Sequence, residues 1–271
     1  MKKIAVINDL SGLGRCSLTA AIPIISVMGI ECCPLPTAVL SNQTGYDSFF
    51  CDDFTDKIDF FTKEWKKADV HFDAILTGYL ASYKQAEKII EFLHEFKTPD
   101  TMFLCDPVMA DDGEVYDTYD NTLCGEIKKL AALADIITPN LTELCILTGS
   151  EYLKATQMNN SEIAEIAKTL LSPNLKTVIV TGVHRDNLIS NIIVTENETR
   201  VISSRAVGGS YSGTGDIFSA VVCGKEVKGQ SPFESAKTAV DLIGKAIESS
   251  YKNNTDRNDG VDFQKYLGML L

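Results

Sequence analysis

Ile4-Ala5-Val6-Ile7-Asn8-Asp9-Leu10-Ser11-Gly12 opens the chain with a short apolar run that ends abruptly in polar and turn residues. Such a run, rich in β-branched residues and bounded by turn formers, fits a strand buried on both faces. Ser17–Met28 follows and reads as a helix. The same unit recurs: Ala74–Leu76 then Lys84–Phe96, Met102–Cys105 then Asn121–Leu133, and Ile136-Ile137 then Glu143–Leu147 and Glu162–Leu171. This alternation predicts an α/β fold, doubly wound, with a mainly parallel central sheet and helices on both faces. Right-handed crossovers are expected between the strands.

Two stretches break the pattern. Cys32–Phe61 is rich in β-formers and turn residues, and no helical period sets in before Phe54, so a small β flap standing off the sheet is expected. Val178–Val180, Asn191–Val194 and Arg200–Ile202 read as strand, turn, strand, turn, strand, which predicts antiparallel edge strands. No repeat, low-complexity tract or linker divides residues 1–271, and a single domain is expected. The polar tail Asn253–Gly260 reads as a solvated loop before a final short helix.

The chain has 271 residues, 45% hydrophobic and 23% charged, with a formal net charge of −12. That acidity disfavours nucleic acid and anionic membrane as partners, both of which call for clustered Lys and Arg. A small anionic nucleotide is still admissible, because a local nest of N–H groups can hold it. None of the eight cysteines forms a C-x-x-C pair, and several sit in apolar runs, as reduced core thiols do. No apolar stretch approaches the ~20 residues needed to cross a bilayer. The first residues turn polar too soon for a signal peptide. A cytoplasmic location is expected. His71, His94 and His184 share no spacing and read as surface residues rather than metal ligands.

Gly209-Ser210-Tyr211-Ser212-Gly213-Thr214-Gly215-Asp216 runs straight into the apolar Ile217–Val222. A small-residue loop feeding a helix can take positive φ and aim its N–H groups at an anion. A carboxylate in that first turn repels phosphate, and makes sense where a hydroxyl must lose its proton; the plainer role for Asp216 is to stabilise the helix start. Polar clusters also follow each predicted strand: Asn8–Gly12, Thr77-Gly78-Tyr79, Asp106-Pro107-Val108, Thr138–Glu143 and Thr181-Gly182. Ligands collect at strand carboxyl ends in open α/β sheets, so five such clusters describe a site rim. Asp106 reads either as a cation-facing carboxylate or as an Asx turn before Pro107. Glu143 reads either as a metal or metal-water ligand or as half of a helix cap with Asn140.

Asp106-Pro107-Val108-Met109, Asn140-Leu141-Thr142-Glu143 and Gly213-Thr214-Gly215-Asp216, in this order, resemble the ribokinase-like superfamily. Leu40–Tyr46 and Leu76-Thr77-Gly78-Tyr79 narrow the resemblance to the vitamin B6 kinases, from about Ile4 to Gly244. The resemblance implies ATP-dependent phosphorylation of the 5′-hydroxymethyl group of pyridoxal, pyridoxamine or pyridoxine. Asp216 would be the base, and Gly213, Thr214 and Gly215 the anion hole. Asn140 and Glu143 would organise Mg²⁺ and the ATP phosphates, with Asp106 beside them. Thr44 and Tyr79 would lie near the pyridine, and Thr181 at the nucleotide. Among the rim residues, Asp9 and Ser11 fall on the substrate side and Gly182 on the ATP side. A K⁺ requirement and a homodimer, with the flap at its interface or as a lid, are also implied. Where many of these kinases carry Ser after the first strand, this chain has Asp9-Leu10, which bears on the choice of vitamer. The alternatives are a hydroxymethylpyrimidine kinase of thiamine synthesis and a non-catalytic nucleotide-binding protein.

Overall fold

The computed structural model describes residues 1–116 and 119–271. Among the described residues eleven strands form: β1 (Lys3–Ser11), β2 (Glu31–Leu40), β3 (Cys51–Asp53), β4 (Ala74–Thr77), β5 (Met102–Cys105), β6 (Ala110–Asp111), β7 (Glu114–Val115), β8 (Ile136–Ile137), β9 (Thr177–Arg185), β10 (Leu188–Thr195) and β11 (Thr199–Arg205). Nine of them make one sheet in the order β11-β10-β9-β8-β5-β4-β1-β2-β3, and β6-β7 is a separate hairpin. From β2 to β9 along the sheet, neighbouring strands pair in parallel; β10 and β11 continue one edge antiparallel, as the sequence predicts.

The helices are α1 (Ser17–Val27), α2 (Ile58–Lys67), α3 (Tyr83–Phe96), α4 (Asn121–Ala132), α5 (Leu141–Thr148), α6 (Tyr152–Ala155), α7 (Asn160–Lys168), α8 (Thr214–Val227) and α9 (Pro232–Lys252). Strand residues alternate between two cores. Ala5, Ile7, Ile75, Phe103, Val178 and Val180 face one that also takes Ile89 and Phe92 of α3, Ile127 of α4 and Ile163 of α7. Ile4, Val6, Leu76, Leu104 and Ile179 face the other, built with α1, α8 and α9. Burial on both faces is what an unbroken apolar strand requires. Ser82, Asp120 and Ser231 cap α3, α4 and α9 with their side chains, which fixes where those helices start.

Two expectations need correction. The flap does not stand off the sheet. β4 pairs with β1 only over Ile4–Ile7, whereas β2 follows β1 to Ser11 and β3 adds antiparallel at Ala38–Leu40. The flap is therefore an overhang of the sheet itself, continued by the 41–50 loop. The tail is not simply solvated either: Arg257–Gly260 is bonded into the molecule, and the final helix is a 3₁₀ segment, Phe263–Leu270. The eight cysteines are free; Cys51 is exposed on β3, outside the core where the sequence had suggested thiols would lie. All three histidines are exposed. No helix among the described residues is long and apolar enough to cross a membrane.

Candidate active site

After β1 the chain crosses to β2 on one side, and from β4 onward it extends the sheet on the other. Strand order therefore reverses at β1, and in an open α/β sheet the ligand crevice lies at such a point, here beyond the carboxyl ends of β1 and β4. Asn8 and Asp9 stand at the end of β1, and Gly78 and Tyr79 just past β4.

Asp216 lies in the first turn of α8 on the crevice floor. Gly213 is the residue before that helix and has φ of 82°, a left-handed conformation suited to glycine. A Cβ at Gly213 would collide with the Arg15 carbonyl oxygen and the Cα of Cys16. Gly215 has no positive φ, contrary to the sequence expectation for both glycines, because it already sits inside the helix. It is exposed, and a Cβ there would have Asp106 Oδ2 as its nearest neighbour at 3.9 Å. The unpaired N–H groups of the first turn of α8 open beside these residues.

Four carboxylates converge. Asn8 Nδ2 donates to Asp216 Oδ1 at 2.9 Å, and the Ser17 N–H at the start of α1 also faces Asp216. Enclosure pushes Asp216 up to about 6; the Asp9 carboxylate adds to this, while the Asn8 and Ser17 donors oppose it. Burial, then the Asp216 charge, pushes Asp106 up to about 7. Glu143 is raised well above the usual carboxylate range by burial and then by Asp106. Asp9 is raised by burial, against the hydroxyls of Ser17 and Ser11. Among the described residues no Lys or Arg forms an ion pair with any of the four.

Asn140 and Glu143 form the capping box of α5. Asn140 Oδ1 accepts from Glu143 N at 2.9 Å, and Glu143 Oε2 accepts from Asn140 N at 2.9 Å. The pair also holds the neighbouring hairpin: Glu143 Oε1 accepts from Met109 N at 3.0 Å and Asn140 Nδ2 donates to Ala110 O at 2.7 Å. Both Glu143 oxygens are thus engaged by main-chain N–H groups. Among the described residues no three His, Cys, Asp or Glu side chains form a metal cage. An all-oxygen set of buried carboxylates with no cationic partner nonetheless suits a hard cation that is held chiefly by substrate phosphates.

The remaining predicted residues divide. Thr214 Oγ1 donates to Tyr211 O at 3.3 Å, closing the turn before α8. Tyr79 lines the crevice; its N–H donates to Asn8 Oδ1 at 2.9 Å and its ring packs against Tyr119 at 5.9 Å. Ser11 is fully buried and spends its hydroxyl on Asp9 Oδ2 at 2.8 Å, so it lies behind Asp9 rather than at the surface of the crevice. Thr181 is bridged to the α5 entry through Pro139 O at 2.9 Å. Gly182 is exposed, with φ of 65°, farther along β9. Thr44 is exposed on the 41–50 loop, whose neighbours Gln43, Gly45 and Tyr46 are fastened to the tail.

Sequence reasoning quoted Asn8 only as part of the rim. It gave no role to Ser17, or to the latch in which Ser212 N donates to Arg257 O at 3.1 Å and Gln43 Nε2 to Asn258 O at 3.2 Å. Asn8 meets Asp216 across 208 positions and Gln43 meets Asn258 across 215, and a single sequence carries no local signal for such pairings.

A glycine-started helix carrying a carboxylate at the switch point of a mainly parallel sheet is the arrangement of the ribokinase-like fold. The phosphomethylpyrimidine kinase family model matches residues 19–260, and the chain belongs to that family. It is 38% identical to a Bacteroides thetaiotaomicron protein provisionally assigned as a phosphomethylpyrimidine kinase, with TM-score 0.96 over 99% of this chain and 93% of that one. A second crystal form of that protein, with pyridoxal, matches at TM-score 0.94. Pyridoxal kinase from Lactobacillus plantarum is 28% identical, with TM-score 0.90 over all of this chain and 97% of that one. Pyridoxal kinase of Histophilus somni is 29% identical over 187 residues, which take in 66% of this chain and 64% of the relative's length.

Proposed function

We propose that residues 1–271 form one kinase domain that transfers the γ-phosphoryl group of ATP to the 5′-hydroxymethyl group of pyridoxal, pyridoxamine or pyridoxine. The observation that carries this reading is the placement of Asp216, held by Asn8 and Ser17 in the first turn of a helix that begins at a left-handed glycine. Phosphoryl transfer asks chiefly for alignment and charge stabilisation. N–H groups at the start of α8 stabilise the transferred group without reorganising. Asp216 accepts the hydroxyl proton, and its raised pKa brings it nearer to the operating pH. Asp106 and Glu143 would hold Mg²⁺, Asp106 directly and Glu143 through water, since its oxygens already serve main-chain N–H groups. When bound, Mg²⁺ neutralises charge on the β- and γ-phosphates. Thr181 and Gly182 belong to the nucleotide side, Tyr79, Thr44 and Asp9 to the vitamer side. The K⁺ requirement and the homodimer implied by the resemblance, and the cytoplasmic location expected from the sequence, complete the reading. The Bacteroides relative crystallised with pyridoxal supports the vitamer over the pyrimidine.

The family name itself favours a second reading, a hydroxymethylpyrimidine kinase with the same phosphate machinery. An ATP-consumption panel of the three vitamers and hydroxymethylpyrimidine, with product masses, separates the two. Consumption with a vitamer, giving a product one phosphoryl group heavier, is the expected result; turnover of the pyrimidine alone refutes it. Asp216→Asn should lower turnover by about 10²–10⁴-fold at near-normal ATP affinity.

A further inference from the structure

Asn8 is 5% exposed at the end of β1 and makes three side-chain hydrogen bonds. Its Oδ1 accepts from Asp9 N at 3.0 Å and from Tyr79 N at 2.9 Å, and its Nδ2 donates to Asp216 Oδ1 at 2.9 Å. The two main-chain donors decide which way the amide faces, since only its oxygen can accept from them. Its NH₂ group must then point at Asp216. The amide also fills the space that a Cβ on Gly78 would need, so the turn after β4 closes directly onto it. One side chain thus links the ends of β1 and β4 to the first turn of α8.

We propose that Asn8 is the positioning residue of the proposed reaction: it fixes the Asp216 carboxylate relative to the vitamer wall at Tyr79, so that the oxygen accepting the hydroxyl proton keeps one orientation. This rests on the reading of Asp216 as the base. Without the Nδ2 donor, Asp216 keeps only the Ser17 N–H and is freer to rotate about χ2, a broad and soft torsion. The consequence falls on the transition state, where alignment matters most, and not on nucleotide binding.

The test is a double-mutant cycle on the full chain, with kcat, KM for ATP, KM for pyridoxal and Tm measured for wild type, Asn8→Ala, Asp216→Asn and the double variant. Asn8→Ala should lower kcat by about 10- to 100-fold, the effect of losing a hydrogen bond to a charged group, while KM for ATP stays within twofold. In the Asp216→Asn background the same change should alter kcat by less than twofold, because Asn8 acts only through the carboxylate. A residue that merely supports the fold would lower Tm and depress kcat equally in both backgrounds, and that result overturns the proposal. So does an unchanged kcat in Asn8→Ala. If Asn8→Ala does not fold, Asn8→Asp carries the comparison: it keeps both acceptor contacts and sets a carboxylate in place of the donor against Asp216, so kcat should fall at least as far, and the Asp216→Asn background, which removes that repulsion, should abolish the loss. Near-normal turnover of Asp216→Asn overturns the base itself, and the positioning role falls with it; additive losses overturn the positioning role alone.

Discussion

Replacing Gly213 and Gly215 singly by alanine should move stability in opposite directions, although the two glycines are a residue apart in one motif. At Gly213 the added methyl group meets the Arg15 carbonyl oxygen and the Cys16 Cα, both backbone atoms that cannot swing away, and φ is 82°. A left-handed non-glycine residue costs ~1–2 kcal/mol, and forced overpacking typically adds ~1–3 kcal/mol. Together these give about 2–5 kcal/mol. Scaling the unfolding entropy of ~2.1 cal/mol/K per residue to this chain makes each kcal/mol worth a little under 2 °C, so Tm should fall by about 4–9 °C. At Gly215 the φ is helical and the nearest neighbour is a carboxylate oxygen at 3.9 Å, ordinary contact. Alanine is the better helix former there by about 0.5–1 kcal/mol, so Tm should hold or rise slightly. Activity should nevertheless drop in Gly215→Ala, because the methyl projects beside the proposed phosphate position. Differential scanning calorimetry with a coupled ADP assay reads both quantities. Gly213→Ala within 2 °C of wild type, or Gly215→Ala well below it, refutes the assignment of one glycine to backbone approach and the other to ligand access.

Three further outcomes are expected. Asp106 and Asp216 have folded-state pKa values above their unfolded ones, so the stability they confer is present at low pH and is lost as pH rises through about 6–7; the wild type should lose more stability between pH 4 and 8 than Asp106→Asn, as urea melts at each pH would record, and parallel curves would count against it. Asn140→Ala removes a cap worth about 1 kcal/mol and the bond to Ala110, so it should lower Tm; with Glu143→Gln it should also raise the Mg²⁺ needed for half-maximal rate, and an unchanged Mg²⁺ dependence would confine both residues to capping. Asp9→Ser should lower the ratio of kcat/KM for pyridoxamine over pyridoxal, since a carboxylate favours a protonated amine; a ratio within twofold of wild type would leave Asp9 to its bond with Ser11.

The layered α/β architecture was legible because the central strands β1, β4, β5 and β8 are buried on both faces and a segment of helical period comes before the next central strand, signals that survive in one sequence. The antiparallel edge was legible from the closely spaced turns after Val180. The overhang formed by β1, β2 and β3 was not, since whether β-forming residues continue a sheet or leave it depends on register with distant strands. The site divides similarly. Asp216, Asp106 and Glu143 follow strands or open helices, where chemistry is expected. Asn8 and Ser17 acquire meaning only from what they face. Asn140 and Glu143 show both sides of an ambiguity already present in their spacing, for the same three-residue interval serves a capping box and a ligand pair. Ser11 shares a strand face with Asp9, two residues before it, but is buried behind that carboxylate and bonded to it, so it does not reach the ligand side.

The bond between Asn8 and Asp216 spans 208 positions, and that between Tyr46 and Asp259 spans 213. A chain emerging from the ribosome amino end first would have β1 and β4 available for pairing long before the residues that complete the crevice exist. Folding dominated by such remote pairings is slow. The Asp216 carboxylate joins last but for the latch at Arg257–Gly260, which ties the 41–50 loop to the turn before α8. A nascent chain can therefore assemble much of its sheet while the proposed centre is still incomplete, and a ligand has nothing to bind until the segment from Asp216 to Gly260 has emerged.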